Sequence, residues 1–475
     1  MSSAVTASSC RKIIIVGGGP IGWATAVHLG RQGLGSVTAV VERDASYKYC
    51  SALLSAGGIR QQYSLPENIH MSLYSHDFMT SYLNDNPQLQ QLQQHSLSST
   101  TPTPPVADIA LKPYGYMFLG SSPKQAQILK DNHHTQQACG VDWIRLVEHS
   151  NKDELTRRYP WLYTEDLVVA TYSGQDTGTK EGYFDPWGFM QCMKHEAVNY
   201  HGVQFIEGQV AKMSCVPQTD GASDPWLRIE SLQLKHGKHG DSRDGYSITE
   251  EIKDIETVIN CTGAWTKEFV RETICKPNQS ILRPEQQSAI LNVLPIERRK
   301  RCIFFIHCPG KHAFSHPVPP TNTPLTIDPT GVYFRSEGTA PGSFICGVSP
   351  ESHLDDNYNH DDVLEKVDYH LFEDIIWPTL AHRVPAFNEL KVKSAWSGFY
   401  DYNTFDQNGI IGYHPHFSNF ICAGGFSGHG LQMAPATGRA VTELLLHNQF
   451  QTLDLSSFSF ERLLTQTPYL ETGIV

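Results

Sequence analysis

The stretch KIIIVGGGPIGWATAVHLG, Lys12 to Gly30, holds the first residues whose types and spacing can do chemistry. Gly17, Gly19 and Gly22 form G-x-G-x-x-G between an apolar strand, Ile13 to Val16, and a helix-like run, Ile21 to Leu29. The first glycine permits a tight turn, the second lets the backbone approach a pyrophosphate, and the third lets helix pack on strand. Phosphates then rest on a helix N-terminus, where free N–H groups and the helix dipole favour anions. A second strand, SVTAVVE from Ser36 to Glu42, ends on an acid twenty residues past Gly22. Such an acid accepts hydrogen bonds from ribose hydroxyls. Strand, helix and acid together predict a dinucleotide site, and FAD and NAD(P) share that fingerprint.

Two later segments bear on the choice. VINCTGAW, Val258 to Trp265, is an apolar strand opening into a turn of small residues. CAGGFSGHGLQ, Cys422 to Gln432, carries glycines 424, 425, 428 and 430 into a final helix. A turn of this kind presses backbone amides against the pyrimidine edge of a flavin, where donors and a positive helix end stabilise the anionic reduced ring. It favours FAD over NAD(P). His429 is either a flavin contact through its side chain or a structural turn residue. HDD, His360 to Asp362, and HCPGKH, His307 to His312, lack zinc-ligand spacing with a second half-site, so both read as loops and no metal is expected.

The elements that must hold these groups follow from pattern. Asp185 is a natural N-cap with Pro186 at the first helical position, opening a helix to about Tyr200. Val203 to Met213 reads as one strand, Tyr114 to Leu119 as another, and Ile255 to Asn260 as a buried strand entering CTGAW. HGKHGDSRDG reads as a flexible hairpin tip, and residues 88–105, rich in Gln, Ser and Pro, as a solvated insertion. Alternating segments between residues 314 and 351, GVYFRSEG and GSFICGVSPE, suit an antiparallel sheet away from the nucleotide. Strand-and-helix units at both ends and in the middle predict a nucleotide domain built from discontinuous pieces.

The 475 residues suit two packed domains. Net charge is −12, and no Lys/Arg block is long enough to track a phosphate backbone, which argues against nucleic acid. No run of about 20 apolar residues exists, so no transmembrane helix is expected. Eleven scattered cysteines without C-x-x-C suit a reducing compartment with free thiols. The opening MSSAVTASSCRK is Ser-rich, basic and free of acids, a composition that suits an organellar presequence, but the dozen residues before the first strand are too short to assign one.

IIIVGGGPIG, VVERD, GYFDPWGFM, VINCTGAW and GGFSGHGLQMAP, in that order, resemble the D-amino-acid oxidase-like flavoproteins, which include sarcosine oxidase, dimethylglycine dehydrogenase and glycine oxidase. The likeness covers nearly the whole chain apart from its insertions. Gly57 to Ser75, GVYFRSEG and SAWSGFYDYNTFDQNGIIG, Ser394 to Gly412, resemble more narrowly a mitochondrial branch of that family implicated in assembly of respiratory complex I. The resemblance implies an α/β, two-domain fold. A Rossmann-type FAD-binding domain would take residues 1–85, 181–275 and 392–475, and a substrate domain on a large antiparallel sheet would take 86–180 and 276–391. It implies cofactor contacts from Gly17, Gly19, Pro20, Ile21, Gly22, Glu42, Arg43, Ser55, Gly57, Gly58, Val210, Thr262, Gly263, Trp265 and Gly398. The closing turn would add Gly425, Ser427, Gly428, His429, Gly430, Leu431 and Gln432.

The family oxidises a C–N bond of an amino acid or secondary amine by hydride transfer to flavin N5, after which the imine hydrolyses. A carboxylate-bearing substrate wants the donor fork of an Arg. Arg60 is the first candidate, because GIRQQYS resembles the sarcosine oxidase stretch that carries a substrate-binding Arg; a surface or phosphate-contacting Arg is its alternative. Arg335 is the second, its alternative being a sheet residue paired with Glu337. Tyr400 and Tyr402 either line the pocket or pack. Gln432 stands where sarcosine oxidases carry a Lys, and a neutral amide holds a carboxylate less strongly. Relatives that attach FAD covalently use an early His or a late Cys; here SALLSAGG has no His and the late position is Gly398, so FAD is expected to be noncovalent. A flavin-binding assembly factor for respiratory complex I, with structural FAD, is the alternative function. The resemblance implies mitochondria, with the cytoplasm as alternative.

Overall fold

The apolar run Ile13–Val16 becomes the strand Lys12–Val16 at the heart of a six-stranded sheet. The structure is a computed structural model, and it describes residues 11–84, 109–218, 226–236, 247–309, 316–351 and 353–472. The insertion at 88–105, the leader up to residue 10, the hairpin tip beyond His236 and residues 310–312 of HCPGKH lie outside those residues.

Thr38–Glu42 and Gln204–Glu207 extend the sheet on one side of Lys12–Val16; Ile255–Asn260, Phe420–Gly424 and Ile410–Tyr413 extend it on the other. All neighbours run parallel except the last pair. Parallel strands buried on both faces read as unbroken apolar runs. Ile13 and Ile15 pack under the helices Pro20–Arg31, Pro186–Asn199 and Gly430–His447, while Ile14 and Val16 face Ile229, Leu232 and Leu234 of a three-stranded antiparallel sheet. Helix Pro186–Asn199 starts as its sequence predicts. The Asp185 carboxylate accepts the N–H groups of Trp187 and Gly188 at 3.0 and 3.1 Å, with Pro186 in the first turn.

Two strands differ from expectation. The second begins at Thr38, because Gly35–Val37 close a 3-10 turn first. Val203 to Met213 is two strands. Gln204–Glu207 stays in the six-stranded sheet, and after Gly208 the chain enters Gln209–Gln218 of the three-stranded one.

The larger sheet has eight strands, in the order Lys391–Asn403, Ile296–His307, Ser343–Gly347, Tyr333–Ser336, Leu325–Ile327, Tyr116–Gly120, Val169–Tyr172 and Arg145–Glu148. It is not wholly antiparallel: Leu325–Ile327 runs parallel to Tyr116–Gly120. A parallel neighbour needs a long return path, and some 200 residues of chain separate the two strands. Residues 392–403, which the sequence grouped with the nucleotide domain, pair with this sheet from Ile296↔Asn403 to His307↔Lys391. No helix among the described residues is long and apolar enough to cross a membrane.

Candidate active site

The carboxyl ends of the parallel strands open into one cavity of about 870 Å³, within the range of roughly 300–1,000 Å³ usual for ligand sites. In open α/β sheets that edge is where ligands bind. Four chain segments far apart in sequence form the walls: Gly17 to Ile21, Glu42 and Arg43, Thr262 to Trp265, and Gly428, Gly430 and Leu431. Ser55 and Val210 also line it.

The three glycines divide their work. Gly17 has φ +102°, and a Cβ there would stand 2.5 Å from the Cys261 carbonyl oxygen. A Cβ on Gly22 would lie 1.9 Å from the Gly17 carbonyl oxygen, so helix and turn touch only because it is glycine. Gly19 is different: its backbone is extended, and a Cβ would find nothing nearer than Cys50 Sγ at 4.0 Å. Gly263 likewise faces open space. Both leave room where a flat or extended group approaches the main chain. Helix Pro20–Arg31 has no acid in its first turn and aims its positive end at this space. The residues therefore fit an extended dinucleotide.

Glu42 is held by two amides: Gly18 N–H donates to Oε2 at 2.8 Å, and Asp44 N–H to Oε1 at 3.0 Å. Burial raises its pKa, and the two amides oppose the rise. It ends the second strand, where the dinucleotide fingerprint has an acid.

The closing glycine turn departs from expectation. Gly428, Gly430 and Leu431 reach the cavity, whereas Gly425, Ser427, His429 and Gln432 are not among its lining residues. The reason is Asp401, which sequence reasoning missed. Its Oδ2 accepts Gly425 N–H at 2.7 Å and Phe426 N–H at 3.1 Å, and its carbonyl accepts Ser427 N–H at 3.1 Å. Those amides are spent on the protein. The first intrahelical bond of Gly430–His447 is Met433 N–H to His429 O at 3.2 Å, so the amides before it form a positive helix end at the cavity wall.

His429 turns away from the cavity toward Arg60. Its Nδ1–H donates to Phe426 O at 2.7 Å, leaving Nε2 as acceptor for Arg60 Nη2 at 3.3 Å. Burial, aided by the Arg60 charge, lowers its pKa to about 4, so the ring is neutral. Arg60 is only 4% exposed. Its guanidinium lies over Tyr63 at 4.1 Å and over Phe118 at 5.2 Å, and Nη1 donates to Gln62 O. Gln432 Oε1 accepts the Arg60 backbone N–H at 2.9 Å. Glu181, also unforeseen, lies fully buried beneath this loop and accepts the N–H groups of Gln61 and Gln62 at 2.6 and 3.1 Å. No local motif announces Glu181 or Asp401; each is a single acid that accepts backbone N–H groups from a distant segment of the chain.

Tyr400 lines the cavity, its ring against Gly428, and burial raises its pKa; Tyr402 does not line the cavity and stacks under Arg299 at 5.3 Å. Arg335 is held at 2.5 Å by Glu337, the pairing that was its alternative, and also donates to Ala56 O at 2.7 Å. Gly57 and Gly58 are not cavity-lining either. A Cβ on them would strike Phe184 O at 2.5 Å and the Tyr116 hydroxyl at 1.8 Å, so they serve packing. Gly398, also absent from the lining, packs against Leu54, where a Cβ would be 2.9 Å from Leu54 Cβ. The SALLSAGG stretch carries no His and position 398 no Cys. The HDD segment is more than a loop: His360, Asp361 and Asp362 line the cavity, and no metal-holding cluster occurs among the described residues.

Residues 12–444 match the family described as FAD dependent oxidoreductase. The chain is 37% identical over 471 residues to FAD-dependent oxidoreductase domain-containing protein 1 of Xenopus laevis, covering 98% of this chain and 84% of that protein. It is 32% identical to the Drosophila melanogaster homolog, covering 98% and 80%. Among solved structures, L-proline dehydrogenase from P. horikoshii superposes with a TM-score of 0.69 at 20% identity, covering 97% of this chain and 99% of that one. Glycine oxidase from Geobacillus kaustophilus does so with 0.65 at 17%, covering 94% and 98%. With a family match over residues 12–444 and a cavity whose glycines and acid fit the dinucleotide, this chain belongs to the FAD-dependent oxidoreductase family and has FAD as its cofactor.

Proposed function

We propose that this protein oxidises a C–N bond of a small amine or amino acid, with hydride transfer from the substrate carbon to flavin N5 and hydrolysis of the resulting imine. Bound FAD supplies the two-electron acceptor. The chain's own residues bind and orient. Arg60 holds the substrate carboxylate, Tyr400 borders the cavity, and the amides opening helix Gly430–His447 would offer donors to negative charge on a bound flavin. His429 is held neutral and positions the Arg60 guanidinium; Gln432 positions the Arg60 backbone rather than the carboxylate. Arg60 is not among the residues lining the cavity; the observation supporting this reading is that it is buried behind the segment that walls it, joined to that segment through both His429 and Gln432. Family neighbours whose names say that they act on proline and glycine support the substrate class. The proposed division of the chain follows the two large sheets, with Lys391–Asn403 on the substrate side.

A second reading has its own support. The Arg60 guanidinium already has protein partners in Gln62 O and His429, which suits a flavoprotein whose FAD is structural and which serves respiratory complex I assembly in mitochondria. Anaerobic mixing separates the two. The purified protein, its flavin shown to be acid-releasable, is combined with a panel of amino acids and N-methyl amino acids while oxidised-flavin absorbance is followed. Rapid bleaching by one compound supports the enzyme. A flavin that only dithionite reduces supports the assembly factor.

A further inference from the structure

Arg298, Arg299, Lys300 and Arg301 are four consecutive cations in the strand Ile296–His307. Successive side chains of a strand point to opposite faces, so this run presents charge both ways. Segment 353–366, which leads from the large sheet back to its edge strand, carries Asp355, Asp356, Asp361, Asp362 and Glu365 against one Lys366. The two are fastened together at several points. Asp355 takes both terminal nitrogens of Arg301, at 2.6 and 2.9 Å, and both side chains are only 9% exposed. Asp361 Oδ1 accepts from Arg298 at 3.1 Å and from the Trp265 indole N–H at 2.8 Å; its Oδ2 accepts from Arg43 at 3.0 Å. Asn357 Oδ1 accepts Arg298 N–H at 3.2 Å, and Tyr358 N–H donates to Arg298 O at 3.0 Å. Leu364 is buried against Phe399 and Ala264, and its carbonyl accepts from Ser397 Oγ at 2.7 Å.

The inner side of this segment is cavity wall, formed by Asn359, His360, Asp361 and Asp362. It closes the same end as Glu42 and Arg43, the ribose end. A single carboxylate, Asp361, therefore ties together three elements around the nucleotide: the end of the second strand, the turn after Ile255–Asn260, and the large sheet. We infer that residues 353–366 are a clasp over the adenosine half of FAD, anchored at Asp361 and Asp355, and that opening of the clasp governs release of a cofactor that has no covalent tether. The inference rests on the cofactor and is independent of the substrate.

Removing the Asp361 charge leaves Arg43 without its carboxylate and Arg298 with Glu268 alone, at 2.6 Å, while removing that of Asp355 leaves the buried Arg301 without its ion-pair partner. Asp361→Asn is expected to speed FAD release from the holoprotein about tenfold or more, equivalent to about 1.4 kcal/mol, as read by the rise of free-flavin fluorescence on dilution. Asp355→Asn, at the far anchor and away from the cavity lining, is expected to speed it too. Glu365→Gln, which removes the charge from the exposed contacts with Lys48 and the Tyr49 hydroxyl and keeps an acceptor oxygen, is expected to leave release within about twofold. Hydrogen exchange of residues 353–366 in the unmodified protein, with FAD bound and removed, provides a reading without any substitution. Slower exchange with FAD bound supports the clasp. Equal exchange in both states overturns it, as does wild-type release from folded Asp361→Asn and Asp355→Asn proteins.

Discussion

Gly19→Val and Gly22→Ala look alike in sequence and differ in what they meet in the structure. At Gly19 the backbone is extended, a conformation any residue adopts, and a new Cβ has only Cys50 Sγ within 4.0 Å. Valine there enters the cavity and leaves the protein's own packing intact. Its cost to the empty fold is that of a poor helix N-cap, about 1 kcal/mol. Its cost to FAD is larger, because the valine methyls hold the pyrophosphate away from the turn amides. Losing two charge-assisted hydrogen bonds at about 1.5–3 kcal/mol each weakens Kd by roughly a hundredfold or more. At Gly22 the situation reverses, since even one methyl would sit 1.9 Å from the Gly17 carbonyl oxygen. Helix and turn must separate, and overpacking of this kind costs about 1–3 kcal/mol or more. We therefore predict that Gly19→Val purifies folded and flavin-free, with a melting temperature within about 4 °C of FAD-stripped wild-type protein, whereas Gly22→Ala lowers the melting temperature of the stripped protein further. The assay is flavin content by absorbance together with thermal unfolding of both apoproteins. A Gly19→Val protein that keeps stoichiometric FAD would refute the placement of the pyrophosphate at this turn.

Three further outcomes follow from the same geometry. Arg60→Ala should raise KM for a carboxylated substrate, with kcat/KM falling about a hundredfold and FAD content unchanged; an unaltered KM removes Arg60 from the carboxylate role. Asp401→Ala strands the amides of Gly425 and Phe426, at about 1–3 kcal/mol each, and should lower thermal stability and perturb the flavin spectrum, while Asp401→Asn, which keeps an acceptor, should do much less; equal behaviour of the two would sink the account of that turn. His414 is buried among Phe417, Phe420 and Phe460, and burial lowers its pKa to about 3. As pH falls below about 6.5, the unfolded chain takes up a proton that the folded protein refuses, so this residue makes stability fall by about 1.4 kcal/mol per unit down toward pH 3. Urea unfolding of wild type and His414→Gln across that range should show the variant lacking this slope, and parallel curves would contradict the assignment.

Much of the site was legible because its chemistry is written locally. Gly17, Gly19, Gly22 and Glu42 sit in one βαβ unit, and their spacing alone specifies a turn, a helix end and an acid at the next strand's tip. The Asp185 cap and the noncovalent reading from Gly398 and SALLSAGG were likewise visible. What escaped depends on pairs distant in the chain. Asp401 meets amides 24 and 25 residues later, Glu181 meets Gln61 and Gln62 about 120 residues earlier, and Asp361 meets Arg43 across 318. Side-chain direction was equally invisible: His429 has the right neighbours for a flavin contact, yet its Nδ1–H bond to Phe426 O turns it to Arg60. The clasp did leave a trace in sequence, a cationic run and an acid-rich stretch of matching size, but opposite charges far apart do not declare that they meet.

The helix Gly430–His447 has a consequence for how the protein is made. It docks on Pro20–Arg31 so closely that a Cβ on Gly438 would stand 2.5 Å from Ala24 C, and it brings Gly430 and Leu431 to the cavity wall. The first and last segments of the cofactor site are thus separated by more than 400 residues of synthesis. A nascent chain that has only its glycine-rich turn offers phosphates a landing place but lacks one wall and the closing helix end. FAD capture is therefore a late event, after the ribosome has passed the final glycine turn, and a chain stopped short of it is left without its cofactor. Flavin content then reads out completed translation, since only molecules finished through this helix turn yellow.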